Sequence, residues 1–134
     1  MAANTNPVFT ITPYLGTVRI NTANTNRDGT GTLGDAATGA TNGTRIDRIV
    51  ATATGTTTAG MLRFFIFDGG STTRFWREMS VSAITPTGTV KAFTGMIISD
   101  DPQNPLLVLP VNYVLRVGTV AAETFDVICH GGHL

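Results

Sequence analysis

Between Val8 and Gly132 the chain is a series of short β-branched and aromatic runs, each stopped after roughly 8–12 residues by Gly, Pro, Asn or Asp. No long window carries apolar residues at i, i+3, i+4 and i+7. Thr and Gly abound, while the better helix formers Leu, Glu and Lys are few. A chain punctuated in this way folds through strand pairing. With 134 residues it has room for one domain and one core, so 1–134 reads as a single unit. The expected class is all-β: an antiparallel β-sandwich of about eight strands, jelly-roll-like in arrangement.

The first run, Val8 to Ile20, contains Pro13 and Gly16, which divide it into two short pieces. Proline cannot donate to a ladder, so this stretch is expected at an edge or a bend, with 1–13 as an extended arm. Residues 21–44, NTANTNRDGTGTLGDAATGATNGT, hold almost no large apolar side chain and read as a long loop or a weak hairpin. RIDRIVATA (45–53) follows, with Ile46 and Ile49 marking a buried side. The clearest unit is 61–84, where the run Leu62 to Phe67 stops at Asp68-Gly69-Gly70 and a second run resumes at Phe75, a hairpin signal. Simple alternation in that second run puts Phe75, Arg77, Met79 and Val81 on one face and Trp76, Glu78 and Ser80 on the other. Runs at 90–99, 106–120 and 125–132 complete the set; the second is bent at Pro110, and Asn112 suits its turn. No fixed-period repeat is visible, which disfavours a propeller or solenoid.

Composition removes several function classes. Nine Lys+Arg balance nine Asp+Glu, leaving no net field to attract nucleic acid or an anionic membrane. The basic residues are all Arg except Lys91, a bias toward side chains that make bidentate contacts at interfaces. A single cysteine, Cys129, excludes an internal disulfide framework. No apolar run approaches the roughly 20 residues of a membrane helix, and MAANTNPVFT lacks the basic and apolar regions of a signal peptide. The chain is expected to be made and kept in a cytosol, or released from one by lysis.

The motifs that suggest chemistry lack their context. GTGTLG (29–34) fits G-x-G-x-x-G, but that fingerprint works only where a buried strand delivers the turn and a helix N-terminus receives the pyrophosphate. Neither NTANTNR before it nor DAATGATNGT after it supplies those elements, so the stretch reads as a loop. Cys129-His130-Gly131-Gly132-His133 offers at most three zinc ligands at an unusual spacing. Asp100-Asp101 sits in SDDPQNP, a turn by local chemistry. No catalytic residue, cofactor or metal is assigned, and no enzyme is expected. The aromatics Phe64, Phe65, Phe67, Phe75 and Trp76 gather at one hairpin. Exposed, they would suit sugar or nucleobases; buried, they fill a core.

The order of the pieces carries more than any one of them. NRDGTGTL, ATGATNGTRIDRI, ATGTTTAGMLRFFIFDG, FWREMSV and LVLPVNYVLRV, in that sequence, resemble the small structural proteins of tailed-bacteriophage virions, most closely head decoration (cement) proteins. The resemblance covers most of 17–130 and is a pattern of strands and turns. It implies a β-sandwich that forms homodimers or homotrimers and binds the major capsid protein lattice on the outer surface of the phage head. A tail or baseplate component and a carbohydrate-binding module of an attachment fibre are the alternatives. Candidate contact residues lie in the arm (Pro7, Val8, Phe9), in the long loop (Arg27, Asp28) and at Trp76. The two segments are polar enough to stay soluble until they order on a partner.

Overall fold

The computed structural model describes residues 10–101 and 103–134. The described chain is all-β. Nine strands run β1 (Thr12–Ile20), β2 (Gly34–Thr38), β3 (Thr44–Ala53), β4 (Gly60–Phe67), β5 (Thr73–Val81), β6 (Thr94–Ile98), β7 (Leu107–Leu109), β8 (Val114–Thr119) and β9 (Phe125–His133). They make two antiparallel sheets that pack face to face as a β-sandwich. Sheet A has the order β1-β9-β3-β6, with β7 beside β6 on the same edge of β3, and sheet B has the order β2-β8-β4-β5.

The pairing has a simple logic. β1 pairs with β9, β2 with β8, β3 with β6 and β4 with β5. Leaving β7 aside, these pairs nest like one long hairpin with its tip at the β4–β5 turn, and along each arm successive strands alternate between the sheets. The β3·β9 and β4·β8 ladders close each sheet across its middle. At the β4–β5 turn the Asp68 carboxylate accepts hydrogen bonds from Gly70 and Thr72 backbone N–H, and Gly69 takes φ +80°. Asn112 does the same work between β7 and β8, at φ 67°, where the chain leaves sheet A for sheet B. Asn tolerates this left-handed conformation better than other non-glycine residues.

Period-two alternation fills the space between the sheets. Ile46, Ile49 and Ala51 of β3 and Val127 and Cys129 of β9 are fully buried, and opposite them lie Leu62 and Phe64 of β4 and Leu115 and Val117 of β8. Phe125 meets Phe93 edge to face at 6.2 Å. Burying one such side chain is worth about 1.5–3 kcal/mol, so this layer supplies most of the drive to fold.

Two expectations need correcting. The segment 21–44 is neither all loop nor a hairpin with itself: Gly34–Thr38 is strand β2, paired with β8. Its small side chains hid it, because β2 passes beneath β1 where only Ala36 and Ala37 fit. The expected arm of 1–13 is also wrong at its inner end: Thr12 and Pro13 lie in β1 opposite His133 and Gly132, and Ile11 N–H donates to the His133 carbonyl, while 1–9 lie outside the described residues. β1 is an edge strand, as Pro13 requires, yet it runs unbroken through Gly16. The glycine is there for space. A Cβ at Gly16 would collide with the carbonyl oxygen of Ala36, and beside it the Tyr14 hydroxyl accepts a hydrogen bond from Thr38 N–H at 3.1 Å.

Gly16→Ala should therefore destabilise the fold by about 1–3 kcal/mol, as overpacking does. Gly88→Ala, at a position with open space around it, should be near neutral. Paired chemical denaturation curves check both; equal midpoints would show that β1 and β2 do not approach as described.

Candidate interaction surface

The two outer faces of the sandwich differ in kind. Sheet B is covered by the chain itself. The loop from Asn21 to Leu33 folds across its outer face and is pinned at Asn24, whose backbone N–H donates to the Thr119 carbonyl. The Asn24 side-chain amide donates to the Thr30 and Thr32 carbonyls at 3.0 Å, and its oxygen accepts from Asn26 N–H. Leu33 lies against Gly118 of β8 and Gly29 against Thr73 of β5. GTGTLG is thus the crest and exit of this loop, with Gly29 and Gly31 at φ +88° and +85°, and β2 follows it where a nucleotide fingerprint requires a helix.

Beneath the loop sits Arg63 of β4, buried on the outer face of sheet B. Its guanidinium donates to the Thr25 carbonyl at 2.8 Å and to Glu78 of β5 at 3.4 Å. Arg27 reaches Glu78 from the loop at 2.9 Å. The Arg27 hydrogen bond, with smaller help from the two positive charges, holds the Glu78 carboxyl below its ordinary range. Asp28 accepts from both the N–H and the hydroxyl of Thr30, which lowers its carboxyl as well. Both residues named as loop contacts, Arg27 and Asp28, therefore serve first to shape and fasten the loop. This part of the segment is already ordered, against the protein's own sheet.

Trp76 also has an internal role. The β4·β5 register jumps from Phe64↔Arg77 to Phe65↔Phe75, leaving Trp76 as the extra residue of a β-bulge. The bulge overturns the simple alternation. Phe75 turns to the outer face, edge to face with buried Phe65 at 5.5 Å, while half-buried Trp76 packs on the core with the Arg77 guanidinium 5.1 Å from its ring. Phe64 and Phe65 are buried, so the aromatic cluster is mostly interior. Pro7, Val8 and Phe9 lie outside the described residues.

Sheet A, by contrast, is open. Strand register sets Thr17, Ile128, Val50 and Met96 in one row across its outer face and Leu15, His130, Arg48 and Ile98 in the next. Leu15, Met96 and Ile98 are 61%, 55% and 54% exposed. Val108 of β7 and Ile11, at the lead-in to β1, extend the same area; together these five are most of the eight large apolar side chains exposed among the described residues. The ion pairs Arg19–Asp126 (2.7 Å) and Arg45–Asp47 (2.7 Å) bound it. Residues of sheet A were missed as contacts because their runs look like ordinary alternation. Only the register shows that their outward apolar members fall side by side.

The Cys-His cluster is divided by the same alternation. Cys129 points into the core, where burial pushes its thiol up to about 12, so it is no nucleophile. His130 faces out, and His133 stacks on Tyr14 at 4.4 Å with Nδ1 2.8 Å from the Thr44 hydroxyl. Among the described residues no three His, Cys, Asp or Glu side chains gather as metal ligands. Asp101 is occupied in its turn, accepting from Gln103 N–H and the Asn104 amide. Comparisons with protein-family models, with curated proteins and with solved structures find no match.

Replacing Arg63 with Met should release the loop and leave the Thr25 carbonyl unpaired, costing about 1–3 kcal/mol and speeding proteolytic cleavage within 21–33. Protection of that loop unchanged from wild type would refute the clasp. The clasp also sets a pH dependence. The folded carboxyls of Glu78, Asp28, Asp68 and Asp126 are all lowered, so their stabilisation is complete above the ordinary carboxylate range of about 4. It is lost as pH falls through the depressed folded values. Denaturation midpoints measured downward from neutral pH should fall below about pH 4, less steeply in Glu78→Gln.

Proposed function

We propose that this chain is a non-enzymatic structural protein of a tailed-phage virion, one that decorates the outside of the head and bridges major capsid protein subunits. The observation that carries the reading is the contrast between the two outer faces. One is closed by the protein's own loop; the other is a broad, apolar sheet surface of the kind that marks protein–protein contact. The strand pairing supports it too: leaving β7 aside, it is compatible with a jelly roll, an architecture that viral capsid domains use. The sequence resemblance over most of 17–130 points the same way.

On this reading the function is mechanical. The protein is made in the host cytoplasm and binds the finished lattice in many copies, as a dimer or trimer. Modest contacts, multiplied over many copies, add area that an internally pressurised shell must break before it ruptures. A rigid body suits that task, and the clasped loop and bulged hairpin stiffen sheet B. The sugar-binding alternative loses ground because Phe64, Phe65 and Trp76 are wholly or partly buried rather than displayed.

Co-sedimentation with phage heads lacking the protein, alongside isolated tails, tests the reading. Saturable binding to heads, with longer survival of those heads on heating, is the expected result. Binding to tails alone would move the role to the tail tube or baseplate, and binding to neither would remove the virion role.

A further inference from the structure

We infer that the outer face of sheet A is a homodimer interface, in which two copies stack these sheets face to face. The inference names an occupant for the open face on which the proposed function rests, and sedimentation of the chain alone tests it apart from head binding.

Four features favour a second copy as the occupant. The first is size. Four strands about 4.8 Å apart and seven residues of β1 at about 3.3 Å each make a patch of roughly 400 Å² in projection. With Ile11 and Val108 at its margin, that is about half or more of the roughly 800 Å² per partner of a standard interface, the size of a weak, concentration-dependent dimer.

The second feature is symmetry. An axis along the strands, midway between β9 and β3, is the axis about which the register is self-matching. Rotation about it lays Ile128 opposite Val50 of the second copy and Leu15 opposite Ile98, an isologous set. Apolar residues thus meet apolar residues at four places, with Thr17 against Met96 in one row and His130 against Arg48 in the other. The geometry repeats that of the protein's own interior, two sheets about 10 Å apart with interdigitating side chains.

The third is charge. The chain is formally neutral, so copies do not repel at long range. On the face itself Arg19 and Asp126, and Arg45 and Asp47, neutralise each other within one copy. The patch therefore offers little to a strongly acidic or basic partner. Arg48 carries a long apolar stem that can lie along the patch with its guanidinium toward the rim.

The fourth is the contrast with sheet B. There a loop and an arginine–glutamate clasp cover the equivalent surface, leaving Phe75 as the one large apolar side chain exposed on its strands among the described residues. The sandwich covers one outer face within the chain and leaves the other for a neighbour.

Sedimentation velocity on the full chain, over the micromolar range of about 1–100 μM expected for an interface of this size, reads the outcome directly. Wild type should sediment as a dimer at the upper end. Met96→Glu and Ile98→Glu, at exposed positions on an edge strand, should each raise the dissociation constant about tenfold or more while the far-ultraviolet spectrum stays that of wild type. Phe75→Glu, on the other sheet, should leave dimerisation unchanged. A monomer throughout, or dimers indifferent to Met96→Glu and Ile98→Glu, would overturn the proposal. Were the wild type monomeric and deletion of residues 1–9 enough to make it dimerise, the face would belong to the chain's own N-terminal segment. Were it monomeric, with the two variants losing only head binding, the face would belong to the lattice. Either result counts against the second copy; the first is read on the chain alone, the second on heads.

Discussion

The sandwich depends on β9. This last strand lies in the middle of sheet A, hydrogen-bonded along its length to β1 on one side and to β3 on the other. Its inward residues Phe125, Val127 and Cys129 are at most 1% exposed. Its outward Asp126 holds Arg19, 107 residues earlier in the chain. Until β9 is in place β1 has no ladder partner, β2 loses the strand that packs across its small side chains, and the core stands open on one side. Such non-local pairing carries a large loop-closure cost, so the fold forms late and as a whole.

Placing β9 at the centre of sheet A has a consequence for the surface. The outward row of β9 acquires neighbours on both sides, and the apolar ones among them, Leu15, Val50, Met96 and Ile98, become one patch around Ile128. In sheet B the equivalent position is taken by β4 and β8, whose outward residues Arg63 and Arg116 are charged. Arg63 engages the chain's own loop through the Thr25 carbonyl, Glu78 holds Arg27 of the same loop, and Arg116 holds the Asp35 carboxylate at 3.0 Å. Arg116 also lies over the Phe67 ring at 3.9 Å. Buried arginine needs acceptors, and the loop carbonyls supply them. The two faces therefore differ because of which side chains point out. One is polar enough to require internal partners, and the other is apolar enough to favour external ones.

Much of this architecture is legible in the linear chain. The β4–β5 hairpin follows from Asp68-Gly69-Gly70 between two apolar runs, the edge position of β1 from Pro13, and the β7–β8 turn from Pro110 and Asn112. Other elements escape for definite reasons. β2 is built of Gly, Asp, Ala and Thr because it lies under β1, and small side chains give no hydrophobic signal. Phe75 and Trp76 exchange faces because a bulge inserts one residue, a local event that strict alternation cannot register. The candidate surface is the least legible part, since Arg27, Asp28 and Trp76 attract notice by residue type while Leu15, Met96 and Ile98 look ordinary.

The sequence by itself determined the local decisions: strand in preference to helix, where most turns fall, and which side chains of a run share a face wherever no bulge intervenes. Those properties live within a few residues, in β-branched propensity, period-two spacing and the backbone freedom of glycine and asparagine. Only the tertiary structure decided which strands became neighbours, that a polar loop would close one sheet, and that apolar side chains from β1, β3, β6 and β9 would gather on the other. Those outcomes are set by pairing between residues as far apart as Thr12 and His133, and the energy that selects them exists only once both sheets are assembled.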